Sequence, residues 1–213
     1  MDQPIKPYQT VSTPAEVEMV EKRSRFIGRC RHVATEQEAL TLLEQIRKQY
    51  WDATHNCYAY LLRSGAARYS DDGEPSGTAG MPMMECLKRM DVTDTLVVVT
   101  RYFGGILLGA GGLVRAYSKS ACDAVRAAKP VWMLPCTAYS VRCPYPYWNT
   151  VKLVCEQYGR IETTTFTDMV ESVVWVQQVQ ESVFGHALTE RTEGRIVPTA
   201  LRADYFPFPT TED

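Results

Sequence analysis

Three carboxylates stand close together in a polar stretch in the first half of the chain. Asp71, Asp72 and Glu74 fall within four positions, and Pro75 follows them. Carboxylates at this spacing repel one another and bind protons or cations readily, and their oxygens suit Mg²⁺. The same residues are typical of a turn, because Asp favours turns and Gly73 permits a positive φ. The stretch lacks the regular alternation of a calcium-binding loop, so we predict a turn with no metal and no cofactor.

A glycine-rich segment, RYFGGILLGAGGLVR, covers residues 101–115 and joins a predicted buried strand to a predicted helix. Glycine lets backbone N–H groups approach a ligand closely, and a helix N-terminus bears a partial positive charge. Arg101 and Arg115, at the two ends, could bind phosphate. The segment matches no known nucleotide signature, since Ala110 and Gly111 replace the Lys and Ser/Thr of a P-loop. Two interpretations stay open: an anion site, or glycines that permit tight strand-to-helix packing.

Cysteine and histidine occur in two short patterns, CRH at 30–32 and HNC at 55–57. Residues i and i+2 share a face of a strand, so four soft ligands would converge on zinc if the two strands were neighbours. Cys57 or Cys86 could also pair with a histidine as a nucleophile. Buried, inert cysteine is commoner than either arrangement, and we therefore predict no metal site and no catalytic residue.

Basic side chains are concentrated between residues 22 and 31. Arg25, Arg29 and Arg31 have odd numbers and would share one face of a strand predicted over 24–33. Such a face could contact RNA phosphate, and the usual alternative is a solvated sheet face. No exposed aromatic stacking set accompanies these arginines, which favours the solvated face.

The elements expected to position these groups follow from hydrophobic periodicity and capping signals. Residues 1–14 are predicted to be a loose arm. A capping-box pattern at Thr35 and Glu38 predicts the start of a helix. The predicted elements are strands 15–21 and 24–33, a helix after Thr35, strand 54–62, a long polar loop over 63–80, a short helix from Pro82 to about Met90, the buried strand 95–100, and a helix over 113–128. The glycine-rich segment lies between the last two of these elements.

The remainder of the chain shows a second alternation of strands and helices. Residues 129–135 are a predicted linker, because Pro130 breaks the preceding helix. The elements predicted after it are strand 136–143, helix 147–158, strands 160–166 and 170–179, helix 182–191 and strand 196–204. This β-α-β-β-α-β order is the ferredoxin-like arrangement. We therefore predict an α+β protein with domains at 1–132 and 133–213, and a frayed tail at 207–213.

Composition restricts the class of protein. Apolar residues make up 45% and charged residues 23% of the 213 residues, and the net charge is −2. These values exclude disordered, collagen-like and coiled-coil chains and a wholly basic surface. The N-terminus lacks a signal-peptide core, and the most apolar window contains Arg101, which argues against a membrane span. Seven cysteines without a C-x-x-C pattern predict reduced thiols in a cytoplasmic protein.

Three motifs together resemble the IMPACT/YigZ family, in its bacterial two-domain form. They are THN at 54–56 with AY at 59–60, SDDGEPSGTAG at 70–80, and VVVTRYFGGILLGAGGLVRAY at 97–117. The resemblance implies an N-terminal domain of the ribosomal-protein S-five domain-two type followed by a ferredoxin-like domain. It also implies a candidate anion, nucleic-acid or partner-binding site at His55, Asp71, Asp72, Glu74, Arg101, Tyr102, Gly104, Gly105, Gly109, Gly111, Gly112 and Arg115.

The function that the resemblance implies is linked to translation, because eukaryotic members regulate translation initiation. We expect a cytoplasmic, non-enzymatic regulator that binds RNA, the ribosome or a translation-related protein, without membrane attachment or DNA specificity. One alternative is an enzyme that binds a small molecule or nucleotide phosphate with the acidic loop at 70–75 and the glycine-rich loop at 104–112. Another is a protein-binding module that docks through the 63–80 loop. The binding hypothesis requires both motifs to border one concave polar surface.

Overall fold

The computed structural model describes residues 6–209, most of which belong to two compact units. The N-terminal unit comprises Tyr8–Trp132 and the C-terminal unit Met133–Phe208. Each unit combines helices with an antiparallel sheet, so the predicted α+β class is confirmed. Among the described residues, no helix combines the length and the apolar character needed to cross a bilayer.

The N-terminal unit is built around one antiparallel sheet with the strand order β2-β3-β6-β4-β5. Its elements are β1 (Tyr8–Val11), β2 (Ala15–Glu21), β3 (Ser24–His32), α1 (Glu36–Gln49), β4 (His55–Leu61), β5 (Ala67–Ser70), α2 (Gly80–Arg89), β6 (Thr95–Tyr102) and α3 (Ala110–Ala127). The apolar run TLVVVT forms the central strand β6 and is buried along its length, as a strand covered on both faces must be.

Helices cover both faces of this sheet. Val97 and Val99 of β6 pack into the cluster formed with α2 and α3, whereas Leu96 and Val98 pack into the cluster formed with α1. This alternation follows the two-residue period of a strand. The helix predicted over 113–128 is α3, and it buries one face against the sheet, with these residues: Leu113, Ala116, Tyr117, Ser120, Ala121 and Ala124. The helix is therefore held firmly against the sheet behind the glycine-rich segment.

The C-terminal unit has the predicted β-α-β-β-α-β order. Its elements are β7 (Pro130–Cys143, which begins in the N-terminal unit), α4 (Trp148–Tyr158), β8 (Gly159–Phe166), β9 (Val170–Gln177), α5 (Glu181–Arg191) and β10 (Thr199–Pro209), with short 3₁₀ turns at Tyr145–Tyr147 and Gln178–Gln180. In the sheet, β7 lies between β9 and β10, and β8 pairs with the other side of β9. Apolar side chains of α4 and α5 form the core of this unit with the sheet.

Four local predictions were wrong, all because strands replaced loops. The predicted arm contains β1, and the loop predicted over 63–80 contains β5, an edge strand whose exposed side chains give no apolar alternation. The predicted linker belongs to β7, because Pro130 takes the first strand position, which proline tolerates. The predicted tail begins inside β10, which runs to Pro209. The remaining arm and tail residues, 1–5 and 210–213, lie outside the described residues.

Two of the seven cysteines are joined, contrary to the prediction that all are reduced. Cys86 of α2 and Cys122 of α3 form a disulfide with their Cα atoms 5.9 Å apart. Both residues face the interface between the two helices, where small apolar side chains pack. The other five are buried free thiols: Cys30, Cys57, Cys136, Cys143 and Cys155.

Candidate ligand-binding pocket

The acidic loop and the glycine-rich segment meet in one open pocket of about 370 Å³ in the N-terminal unit. The walls are formed by Thr54, His55, Gly73, Glu74, Pro75, Arg101, Phe103, Leu107, Leu108, Gly109, Ala110 and Leu113. Glu74 therefore borders the pocket together with Gly109, but Asp72 does not line it. The two motifs do form one concave surface, and its character is more apolar than the sequence indicated.

A buried ion pair lies in the wall of this pocket. Glu74 Oε1 accepts hydrogen bonds from Arg101 Nη1 at 2.6 Å and from the Tyr117 hydroxyl at 2.7 Å. The side chains of Glu74 and Arg101 are only 2% and 6% exposed. Burial raises the pKa of Tyr117, with the neighbouring Cys57 and Glu74 adding to the shift, so its hydroxyl stays protonated and donates. These partners satisfy a carboxylate that would otherwise be a costly isolated buried charge.

Arg101 has one donor that no described residue accepts. Its Nη2 donates to Ser24 Oγ at 3.3 Å, whereas the buried Nε finds no acceptor among the described residues. The guanidinium lies between two aromatic rings, 5.5 Å from the centroid of Phe26 and 5.6 Å from that of Phe103. Phe103, which is 47% exposed, thus forms a flat and accessible wall beside the cation.

His55 is oriented by the backbone of the acidic loop. Its position on β4 is directly opposite Arg101 on β6. Nδ1 lies 2.7 Å from the carbonyl oxygen of Asp72, and Nε2 lies 3.8 Å from Glu74 Oε2. Because a carbonyl oxygen can only accept, Nδ1 carries the proton of this hydrogen bond. His55 therefore adds a fixed hydrogen-bonding atom to the pocket wall.

The start of α3 contributes unsatisfied backbone donors to the rim. Gly109 is the N-cap with φ +74° and provides no side-chain cap. Within residues 6–209, no group accepts from the N–H groups of Ala110, Gly111 or Gly112. A helix start with free N–H groups carries a partial positive charge and attracts anions.

The glycines of the segment serve different purposes. A Cβ on Gly104 would lie 2.0 Å from the backbone carbon of Arg23, so this glycine permits close packing. Gly105 and Gly109 have φ of +80° and +74° and face open space, so their backbone conformation is what requires glycine. The packing interpretation therefore applies at Gly104, backbone conformation is a separate reason for glycine at 105 and 109, and the anion site stays a prediction.

The other two acidic-loop carboxylates hold the loop itself. Asp71 accepts from the backbone N–H groups of Gly77, Ala79 and Gly80 at 2.8–3.0 Å. Partial burial raises the pKa of Asp71, but these three bonds outweigh it and leave the pKa below the ordinary value. Asp72 accepts from the Asn56 N–H at 2.7 Å and pairs with Arg47 at 2.9 Å. These contacts match the turn interpretation of the acidic stretch.

The metal and nucleophile alternatives find no support in the described residues. No group of three or more His, Cys, Asp or Glu side chains there could hold a metal ion. The two Cys/His patterns lie on β3 and β4, which β6 separates. Burial raises the pKa of Cys57 to about 12, and its Sγ donates to the carbonyl of Asp71 at 3.0 Å, so it is a poor nucleophile. Cys86 is in the disulfide.

The RNA-contact alternative for the β3 face finds no support at two of its three arginines, and the favoured solvated face fits Arg25 but not the buried Arg29. Arg25 forms two hydrogen bonds with Glu18, and Arg29 is buried and pairs with Glu16 at 2.8 Å. The glutamates of the neighbouring strand β2 neutralise these two arginines, and periodicity within one strand could not show that.

Tyr102, a predicted site residue, does not line the pocket, and its hydroxyl donates to Asp52 at 2.9 Å.

A different basic surface lies on the exposed side of α3. Two grooves, of about 220 and 450 Å³, share Arg115 and Lys119. We call their five cations the α3 basic surface: Lys22, Arg89, Arg115, Lys119 and Arg126. The helical spacing of 115, 119 and 126 could have indicated this surface from the sequence. Only Arg115 of the five was among the predicted site residues.

Comparison with known proteins assigns this two-domain molecule to a protein family. Residues 22–125 match the family model described as the Impact N-terminal domain, and residues 141–195 match a domain of unknown function, DUF1949. The IMPACT family member YvyE of Bacillus subtilis is 39% identical over 191 residues, which cover 88% of each chain. The chain belongs to the IMPACT family.

Other relatives agree with this placement. The IMPACT family member YigZ of Escherichia coli is 34% identical over 88% of this chain and 95% of its own length. The IMPACT homologue of Dictyostelium discoideum is 40% identical, over 43% of this chain and 28% of its own. A solved structure, described as the crystal structure of a hypothetical protein, covers 93% of this chain and 98% of its own at 30% identity and a TM-score of 0.59. The resemblance seen in the three motifs is thereby confirmed.

Proposed function

We propose that this protein is a cytoplasmic, non-enzymatic regulator linked to translation that binds RNA phosphates through the α3 basic surface. The observation that supports this most directly is the state of Arg115. It is exposed, it borders both grooves, and no carboxylate among the described residues pairs with it. A planar guanidinium in this state suits bidentate contact with phosphate.

The local charge favours a polyanion. Five cations line the two grooves against two carboxylates, Glu21 and Asp123, in a chain whose net charge is −2. Asp123 pairs with both Lys119 and Arg126, which leaves Lys22, Arg89 and Arg115 without a carboxylate partner among the described residues. Charge of one sign concentrated along a groove raises the local concentration of an oppositely charged ligand.

The family relationship supports the choice of RNA as the polyanion. The IMPACT homologue of Dictyostelium discoideum matches 97 residues of this chain, and residues 22–125, which include Arg115, match the Impact N-terminal domain. The motif resemblance links that family to translation, where the abundant polyanion is RNA. The two alternatives remain predictions: an enzyme that uses the acidic loop, and a protein-docking module at 63–80. The first has less support, because protein atoms contact each of the three acidic-loop carboxylates.

The test is a salt series of binding to purified ribosomes and to a single-stranded RNA. Log affinity is expected to fall linearly with log salt, with a slope of roughly 0.7 per phosphate contact on a single strand. Arg115→Ala should weaken binding at every salt concentration and reduce this slope by about one contact. A matched control is Arg31→Ala, which removes another exposed arginine from β3.

Two results would contradict the proposal. One is the absence of binding to either probe at low salt. The other is equal weakening by the Arg115 and Arg31 variants, since that would show a diffuse charge effect rather than contact at the α3 basic surface.

A further inference from the structure

The pocket beside the α3 basic surface has exposed apolar walls that the binding of phosphate alone does not use. Phe103, Ile106 and Leu107 are 47%, 40% and 81% exposed, and they lie close together in the chain between β6 and α3. Phe103 and Leu107 line the pocket. Apolar side chains exposed in a cluster mark sites of interaction, whereas isolated ones need no explanation. A volume of about 370 Å³ lies within the range of small-ligand sites.

The polar atoms of the pocket suit an uncharged group. The charges of Arg101 and Glu74 cancel within their 2.6 Å contact, so the inner wall presents no net charge. Hydrogen-bonding atoms remain available there, notably His55 Nε2. A neutral, planar ring with donors and acceptors at its edge fits such a wall, and the face of Phe103 offers it a stacking surface.

The rim, in contrast, suits an anion. The N–H groups of Ala110, Gly111 and Gly112 at the start of α3 have no acceptor among the described residues, and Ala110 lines the pocket. In the inner wall, and independent of this helix terminus, the buried Nε of Arg101 has no acceptor among the described residues, so a polar ligand would satisfy it. A ligand with a flat polar ring at one end and a phosphate at the other would use the wall and the rim together.

The pocket is continuous with the α3 basic surface. Leu108 lines both the pocket and the groove that contains Lys22 and Arg115, and Gly112 of that groove lies in the chain between Ala110 and Leu113 of the pocket. A strand whose phosphates lie on Lys22 and Arg115 can therefore turn a base into the pocket without leaving the protein surface.

We infer that the pocket binds one unstacked nucleotide, with its base against Phe103 and Leu107 and its phosphate at the N-terminus of α3. This inference rests on the proposed function in one respect, namely that the nucleotide belongs to the bound RNA strand. A free mononucleotide has the same chemistry, and the experiment distinguishes the two sources.

The probes are the four ribonucleoside 5′-monophosphates, the corresponding nucleosides and a single-stranded RNA hexamer, each titrated into the full chain. Phe103→Ala removes the stacking surface at an exposed position, and Tyr69→Ala is the matched control, since Tyr69 is an aromatic residue 42% exposed on β5. We expect Phe103→Ala to weaken hexamer binding on the order of ten- to a hundredfold, and Tyr69→Ala to leave it unchanged.

A second variant tests the phosphate end. Ala110→Pro removes one N–H group at the first position of α3, where proline is compatible with the helix. It should reduce the affinity for the monophosphates severalfold while leaving that for the nucleosides unchanged. Equal effects on both would overturn the placement of the phosphate.

The outcomes separate this inference from the proposed function. If Arg115→Ala weakens hexamer binding and Phe103→Ala does not, the nucleotide pocket is overturned and the RNA-binding surface stands. If monophosphates bind in a Phe103-dependent way and neither the hexamer nor ribosomes bind, the pocket is a site for free nucleotides. The idea that the nucleotide belongs to a bound RNA strand is then overturned. If Phe103→Ala weakens both hexamer and monophosphate binding, both ideas are supported.

Discussion

The acidic loop and the glycine-rich segment border the same pocket. The carboxylates of the loop are hydrogen-bonded within the protein, whereas backbone N–H groups of the segment have no described acceptor. In the acidic loop, Asp71 and Asp72 accept hydrogen bonds from backbone N–H groups of the protein, and Glu74 is held by Arg101 and Tyr117. In the glycine-rich segment, three N–H groups at the start of α3 have no described acceptor, and large apolar side chains are exposed.

This difference reverses what residue types alone indicate. Carboxylates are the residues most often associated with chemistry, yet here they fix a turn and neutralise a buried cation. The groups available to a ligand are backbone amides and apolar surface, which a search for functional side chains passes over. If this contrast holds, substitutions in the acidic loop should alter stability, and those in the glycine-rich segment should alter binding.

Glu74→Ala should have the largest effect on stability. It leaves Arg101 buried beside the aromatic rings without its carboxylate, and breaking a buried pair in this way costs about 3–5 kcal/mol. The free energy of unfolding, measured by urea denaturation at neutral pH, should fall by that amount.

The control for Glu74 removes both charges together. Replacing Glu74 with Leu and Arg101 with Met in one protein should cost less than Glu74→Ala alone, because no isolated charge remains buried. A double variant as unstable as the single one would show that the stability depends on packing, and would contradict the structural role given to the ion pair.

Asp71→Ala should have the second largest effect, about 2–3 kcal/mol at neutral pH, because three backbone N–H groups lose a charged acceptor. The folded-state pKa of Asp71 lies below its unfolded value of about 3.9, so its contribution is complete above that pH. It is lost as the pH falls through the folded pKa. The difference in unfolding free energy between wild type and variant should therefore shrink below about pH 4.

A surface carboxylate provides the comparison for Asp71. Asp168, whose side chain is 79% exposed, should give little change when replaced by Ala at any pH. A wild-type-to-variant difference for Asp71 that stayed constant down to pH 2 would show that the protonation state of this carboxylate is irrelevant to the turn.

Most of the fold could be predicted because burial leaves a period in the sequence. The buried β6 run TLVVVT and the helix α3 were predicted correctly, and Thr35 caps α1 by accepting from the Glu38 N–H as its pattern indicated. The elements that were missed are held by backbone pairing. β5 at the sheet edge keeps exposed side chains, and its formation depends on its partner β4.

The candidate site was predictable only as two separate motifs. That His55 would lie opposite Arg101 depends on the register between β4 and β6, which no local pattern states. Likewise, the neutralisation of Arg29 depends on Glu16, which lies on the neighbouring strand. Residue types and spacing therefore indicate candidate residues, whereas tertiary pairing decides which of their charges remain available.

Gly109→Ala should have a smaller effect on stability, about 1–2 kcal/mol, because φ +74° with ψ 164° is a region that other residues rarely occupy. Gly111→Ala is the control in the same turn. A Cβ there would meet only Arg115 Nη1 at 3.5 Å, so the unfolding free energy should stay within about 0.5 kcal/mol of wild type. Similar losses at both positions would mean that space, rather than backbone conformation, requires glycine at 109.

Leu107→Ser should have the smallest effect on stability, and it is the sharpest test of the contrast between the two motifs. Leu107 is 81% exposed, so its replacement should change the unfolding free energy by no more than about 0.5 kcal/mol. Thermal or urea unfolding would measure this directly. A large loss would show that Leu107 supports the structure, and the exposed apolar wall would then be a packing element like the acidic loop. An unchanged stability would leave ligand contact as the reason for an apolar side chain in this position.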